Sequence, residues 1–337
     1  MDAPKKNSRA FVYRAGVRIA GTVVACDASA GSDLVFLSHA AVLGARGRRA
    51  LPRLGGGRRQ ILSTDTTLSL LGPVGDRLRA QALIAAYGRP FALGETRLEL
   101  FASGYLPGAA SLLCERGGRR VVYAGPIGEG AEVRAADALC LDARFAALGR
   151  ELPERRVAEH DLRQIVAGLR AAGQAAVLLI EPAWLALTVA QLLGEDGVAL
   201  RAHRTIMEAA VSYRSANLAV PALQRFAGRL APNEVLLWPA ATAAPPHLAG
   251  SRAVGQVLVS PQADWPALRA QVAAAQALTF PLGADLPRLV SYVAATGASE
   301  VALLGAPDDG LAERLRGRGL DVYCLGPPSQ IDLFAAA

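Results

Sequence analysis

Lysine is nearly missing from this chain. Of its 36 basic residues only Lys5 and Lys6 are lysine, so the net charge of +7 is carried almost wholly by arginine. Arginine binds phosphate in a fork, which suits nucleic acid. An Ala-, Gly- and Arg-rich composition also follows from a GC-rich genome, so charge alone does not name a partner. Histidine is scarce as well: His39, His160, His203 and His247 are the full set. A two-metal hydrolase needs about four or five imidazoles plus carboxylates converging on one cleft. His160 lies at a helix start, His203 in a polar stretch and His247 after Pro245-Pro246, so these three do not supply such a cleft. The four cysteines, Cys26, Cys114, Cys140 and Cys324, are far apart and have neither metal-ligand nor redox spacing. Each lies in or beside an apolar run, and buried reduced thiols are expected. Although 52% of residues are hydrophobic, no run approaches a membrane span, which excludes a membrane partner of that kind. The stretch Met1-Asp2-Ala3-Pro4-Lys5-Lys6-Asn7 has no apolar segment behind it that reads as a signal peptide, so a cytoplasmic location is expected.

What is present is enough chain, 337 residues, for two lobes with a sizeable core. Residues 10–38 read as a β-meander of short β-branched or aromatic runs separated by glycine. Residues 61–71 begin as a strand, after which Thr64 or Asp65 can cap a short helix. An amphipathic helix is expected over 74–86. Residues 97–101 alternate as a strand, and 111–115 with 120–124 form a hairpin around Gly117-Gly118. Residues 138–142 are a buried strand ending in a carboxylate. From about residue 155 the texture changes. Helical stretches at 159–172, 183–193, 265–275, 286–295 and 309–318 alternate with strands at 176–180, 235–238, 256–260, 277–282, 300–304 and 321–325. That alternation predicts parallel sheet.

The organising stretch is Val35-Phe36-Leu37-Ser38-His39-Ala40-Ala41-Val42-Leu43-Gly44 and the arginine-rich loop after it. Four further segments keep register with it. They are Leu100-Phe101-Ala102-Ser103-Gly104-Tyr105-Leu106-Pro107-Gly108, Val122-Tyr123-Ala124-Gly125-Pro126, Leu139-Cys140-Leu141-Asp142-Ala143-Arg144-Phe145 and Phe280-Pro281-Leu282-Gly283-Ala284-Asp285-Leu286. In this order they resemble the β-CASP branch of the metallo-β-lactamase-fold nucleases. The bacterial ligase-associated and mRNA 3′-end-processing-factor-like exonucleases are the particular likeness, and it extends over nearly the whole chain. The resemblance implies an α/β fold: a metallo-β-lactamase αββα sandwich with an inserted β-CASP-like α/β cap. The expected division is 1–155 for the first part of the sandwich, 156–270 for the cap and 271–337 for the return.

The family holds two zinc ions with a His-x-His-x-Asp-His loop and further ligands. Here only His39 keeps its place in that loop; Ala41, Leu43 and Gly44 occupy ligand positions and have no lone pair to give. Tyr105, Pro126 and Gly283 stand where the family has histidine, aspartate and histidine. Asp142 survives, at a position the family uses to orient or assist. The resemblance therefore implies a vestigial pocket of His39, Asp65, Tyr105, Asp142 and Asp285, no catalytic residue, and no metal or other cofactor.

Each candidate has a plain structural alternative. His39 and Asp142 act either as a residual base and ligand contact or as a hydrogen-bonded remnant. Tyr105 fills the volume of the lost histidine and metal. Ser103 and Thr67 lack a visible base to activate them. Arg46, Arg48, Arg49, Arg53, Arg58 and Arg59 form the densest basic segment; they read as a nucleic-acid contact or as a solvated loop. Gly55-Gly56-Gly57 has no nucleotide-binding spacing. Trp184, Trp238 and Trp265 stack on bases or, more simply, pack a core.

The function expected from all this is a catalytically inactive subunit of DNA repair or RNA processing. It would bind single-stranded DNA or RNA, or scaffold an active β-CASP paralogue, a helicase or a ligase. Two alternatives stand beside it. One is a divergent phosphodiesterase using magnesium or manganese on Asp65, Asp142 and Asp285. The other is a purely structural assembly protein.

Overall fold

The computed structural model describes residues 9–29, 33–43, 59–146, 151–245, 247–248, 251, 253–272, 274, 276–305 and 310–326. The chain divides into two compact units, Met1–Arg150 with Gly283–Ala337, and Glu151–Leu282. The second junction falls later than the expected 270, because a strand at 276–279 pairs inside the second unit.

The first sheet runs in sequence order through β1 (Phe11–Tyr13), β2 (Val17–Ile19), β3 (Val24–Cys26), β4 (Leu34–Phe36), β5 (Gln60–Ser63) and β6 (Ala82–Ile84). It is a meander only as far as β3. The pairs β3/β4, β4/β5 and β5/β6 are parallel. This matters for the site: parallel pairing sets Cys26 opposite Phe36, so the residues after both strands emerge at the same sheet edge. Between β5 and β6 lie α1 (Asp65–Leu70) and α2 (Pro73–Arg79). Thr64 caps α1, its Oγ1 accepting from the Thr67 N–H at 3.1 Å. The helix expected over 74–86 ends at Arg79, and β6 claims Ala82, Leu83 and Ile84 by pairing with β5. Gly75 sits so close to the Leu68 carbonyl that any Cβ there would fall 1.8 Å from its oxygen.

The second sheet begins with β7 (Phe91–Leu93), β8 (Thr96–Ala102), β9 (Ala110–Arg116), β10 (Arg119–Gly125) and β11 (Ala138–Asp142). Gly117 and Gly118, at φ +56° and +78°, make the two-residue turn of the β9/β10 hairpin.

The second unit contains α3 (Arg155–Ala171), β12 (Ala175–Ile180), α4 (Leu185–Glu195), β13 (Ala199–Ala202), α5 (Arg204–Ser215), β14 (Leu223–Arg225), β15 (Glu234–Pro239), β16 (Val254–Ser260), α6 (Pro266–Gln271) and β17 (Gln276–Thr279). Its sheet, in the order β14-β13-β15-β12-β16-β17, is parallel throughout. The strand β12 is buried at all six positions, as an interior parallel strand should be. Helix α6 stops at Gln271, four residues short of the expected end.

The chain then returns to the first unit as α7 (Leu286–Thr296), β18 (Glu300–Leu304), α8 (Gly310–Arg316) and β19 (Asp321–Leu325). Both strands join the second sheet, completing the order β19-β18-β11-β10-β9-β8-β7. Successive strand residues face opposite ways, and the burial follows that alternation. Cys140, Tyr123 and Leu100 pack with Phe11, Phe36 and Leu62 between the two sheets. Leu139, Leu141 and Val122 pack outward on Leu289, Val293 and Leu315 of α7 and α8. Val35, Leu37 and Ile61 pack on Leu68 and Leu78 of α1 and α2. The layers of the first unit thus run helix, sheet, sheet, helix. Each enclosed Leu or Phe contributes about 1.5–3 kcal/mol. Among the described residues no helix is long and apolar enough to cross a membrane.

Candidate functional site

The ends of β3, β4, β10, β11 and β18 surround a cavity of about 520 Å³ in the first unit. Asp27, His39, Asp142 and Arg144 bring its charge and its ring nitrogens, and Tyr13 and Tyr123 line it as well.

Asp27 directly follows β3 at φ +50°, an uncommon conformation that aspartate tolerates better than most residues. Its backbone N–H donates to the Phe36 carbonyl at 2.8 Å, which ties it to the end of β4. Its carboxylate accepts three hydrogen bonds: from Ser38 N–H at 2.9 Å, from Ser38 Oγ at 2.6 Å and from Tyr123 OH at 2.8 Å. Burial pushes its pKa up, and the bonds from Ser38 and Tyr123 pull against that.

Ser38 Oγ also lies 2.7 Å from His39 Nδ1. One hydroxyl hydrogen cannot serve both neighbours. With Ser38 donating to the Asp27 carboxylate, the Nδ1–H of His39 donates to Ser38, and Nε2 keeps its lone pair. His39 is 3% exposed, and burial first, then the Arg144 charge, lower its pKa from 6.5 to about 3. The imidazole is therefore neutral. Tyr105 meets it edge-on at 5.2 Å between ring centroids. Burial raises the Tyr105 hydroxyl above its ordinary value, so it stays a phenol.

Asp142 ends β11 and is almost fully buried. Arg144 grips it: Nε lies 3.0 and 2.9 Å from the two carboxylate oxygens and Nη2 is 2.5 Å from Oδ2. The Arg144 N–H donates to Oδ1 at 3.0 Å. Burial opposes the charge on Arg144, but the Asp142 hydrogen bonds and charge outweigh it and hold the guanidinium above its usual value. Gly305 closes the other side at φ +64°, where a Cβ would come within 3.3 Å of Asp142 Oδ1.

Of the expected pocket, His39 and Asp142 line the cavity, while Tyr105 packs against the His39 ring without lining it. Asp65 instead forms a surface ion pair with Arg79 at 2.5 Å. Asp285 caps α7 by accepting from Arg288 N–H at 3.1 Å. Neither lines the cavity, so the three-aspartate metal site is corrected. Among the described residues, no three His, Cys, Asp or Glu side chains are grouped so as to hold a metal ion. The two-zinc arrangement of the resembled family does not fit the residues present: both Asp142 oxygens serve a guanidinium and His39 Nδ1 serves Ser38. Thr67 Oγ1 and Thr64 Oγ1 both donate to the Gly108 carbonyl, and Ser103 Oγ accepts from Tyr105 N–H. All three are structural ties.

Arg46, Arg48, Arg49, Arg53, Arg58 and Gly55-Gly56-Gly57 lie outside the described residues; Arg59, half-buried, is at their border. Trp238 packs in the second unit's core against Phe226 and His203. Trp265 is 42% exposed. Cys26, Cys114 and Cys140 are buried with their thiols pushed up by desolvation, whereas Cys324 is exposed, against expectation, near the end of an edge strand. Sequence reasoning passed over Asp27, Tyr123 and Arg144. Asp27 carried the signal already noticed at Asp142, an apolar strand run ending in a carboxylate.

No protein-family model matches this sequence, and comparison with curated proteins returns no match.

Proposed function

We propose that the protein is a non-hydrolytic, nucleic-acid-binding subunit built on a metallo-β-lactamase-like first unit with a β-CASP-like second unit. Its setting is DNA repair or RNA processing, beside an active nuclease paralogue, a helicase or a ligase. The observation that carries this reading is the fork of Arg144 on Asp142. A guanidinium, a tethered cation, neutralises the carboxylate at a position that, by the resemblance, the active enzymes use to orient or assist. With both Asp142 oxygens engaged by Arg144 and His39 Nδ1 by Ser38, these groups are already committed elsewhere than to an activating ion. His39, lowered to about 3, is too weak a base to activate a water by itself at neutral pH. The layer order of the first unit, the parallel sheet of the second and the arginine-borne charge of +7 support the same reading.

The test is binding of single-stranded DNA and RNA across a salt series, with zinc, magnesium or manganese added in parallel. Binding that weakens steeply with salt and leaves the strand intact is the expected result. Manganese-dependent cleavage lost in Asp142→Ala would return the hydrolase alternative. Binding absent at low salt would leave a structural assembly protein.

A further inference from the structure

Among the groups lining the cavity, Arg144 and His39 each keep a polar edge that the hydrogen bonds described above do not use. Arg144 gives the side edge of its guanidinium, Nε and Nη2, to Asp142. Among the described residues Nη1 has no hydrogen-bond partner, and the Arg144 side chain is 53% exposed where it lines the cavity. A carboxylate on the side edge fixes the guanidinium plane. It leaves the end edge, Nη1 and the outer hydrogen of Nη2, for a second oxyanion. His39 has spent Nδ1 on Ser38, so the nitrogen left to a ligand is Nε2, an acceptor.

A group that satisfies both must join anionic oxygens to a hydrogen-bond donor. A phosphate monoester does so. It has three unesterified oxygens, and with a second pKa near ~6 part of it carries a P–O–H at neutral pH. A phosphodiester has two such oxygens and no hydrogen. The volume of about 520 Å³ is that of a small-ligand pocket and accommodates a mononucleotide.

We infer that this cavity binds a phosphate monoester, with Arg144 as the anion clamp, Asp142 as the residue that positions Arg144, and His39 Nε2 as the acceptor. The inference rests on the nucleic-acid reading only for its source, the phosphorylated end of a strand. A free mononucleotide offers the same chemistry.

The experiment compares, on the wild-type chain, one short single-stranded oligonucleotide bearing a 5′-phosphate, a 3′-phosphate or hydroxyl ends. Adenosine monophosphate and inorganic phosphate are titrated separately by calorimetry. One phosphorylated end should bind at least about tenfold more tightly than the hydroxyl-ended strand, as expected where a charge-assisted fork is lost. Inorganic phosphate should compete that preference away. Arg144→Ala should abolish it, and Arg144→Lys, which keeps the charge without the fork, should weaken it. Binding of the mononucleotide in preference to the phosphorylated strand would retain the site and assign it to a small molecule. Equal binding of all ends, with no calorimetric signal from phosphate or mononucleotide, would overturn the monoester site and leave the nucleic-acid reading standing. Phosphate binding without any oligonucleotide binding would do the reverse. The wild-type comparison decides the matter even where a variant does not fold.

Discussion

The two units bury their polar groups very differently. Among the described residues thirteen polar or charged side chains are buried, and Ser260 is the single one of these in the second unit. The second unit encloses a parallel sheet with apolar side chains such as Val177, Leu236 and Leu258, and its polar residues stay outside. The first unit has an equally dry core between its sheets, yet encloses Ser38, His39 and Asp142 at one end of them. Burying such groups costs stability unless each finds partners. The first unit meets that cost with a connected set: Tyr123 and Ser38 on Asp27, His39 on Ser38, Arg144 on Asp142. Packing alone would not ask for this set, since the second unit packs without one.

If that contrast is physical, equivalent deletions should have unequal effects in the two units. The largest effect should be seen on acidification. The unfolded chain protonates His39 as pH falls below 6.5, whereas the folded chain resists until about 3, so stability is lost across that window. A shift of this size corresponds to roughly 3–5 kcal/mol at the acid end. Asp27 works in the opposite sense, because burial raises its pKa and the folded state takes up that proton early. Denaturant melts of wild type and His39→Gln from pH 7 downward isolate the histidine: the variant should show the flatter profile. Parallel profiles would contradict this, since they would mean that His39 takes up its proton as readily in the fold as in the unfolded chain.

Asp27→Ala should come next, with a loss of about 3 kcal/mol, because three enclosed donors lose their acceptor together. Arg144→Met should cost less, about 2 kcal/mol. Asp142 is left unpaired, but the partner removed is half in solvent, where pairing energy is screened. The smallest effect should belong to the second unit. Ser260→Ala removes one bond, from the Gln262 N–H to Ser260 Oγ at 3.1 Å, and should cost about 1 kcal/mol or less. Equal losses for Asp27→Ala and Ser260→Ala in chemical denaturation would remove the distinction between the units.

Local chemistry made much of the fold legible. Gly117-Gly118 marked its hairpin, Thr64 its helix cap, and the apolar run at 176–180 its interior strand. Errors arose where pairing overrode local pattern. Residues 82–84 suit a helix face as well as a strand, and β5 decided between them. The β3/β4 pair is parallel, which no short-range pattern in 10–38 announces, and that choice places Asp27 beside Ser38. Asp27 was missed for the same reason: its third donor, Tyr123, is 96 residues away. At 139–145 the carboxylate was read correctly, but the fork of Arg144 back onto it depends on side-chain geometry that spacing does not encode.

The most direct single measurement is the metal content of protein purified without chelator, compared between wild type and His39→Ala. A cavity that holds its own guanidinium against Asp142 should yield metal well below one equivalent per chain in both. Stoichiometric zinc in the wild type, lost in His39→Ala, would contradict the reading and restore a metal-dependent site.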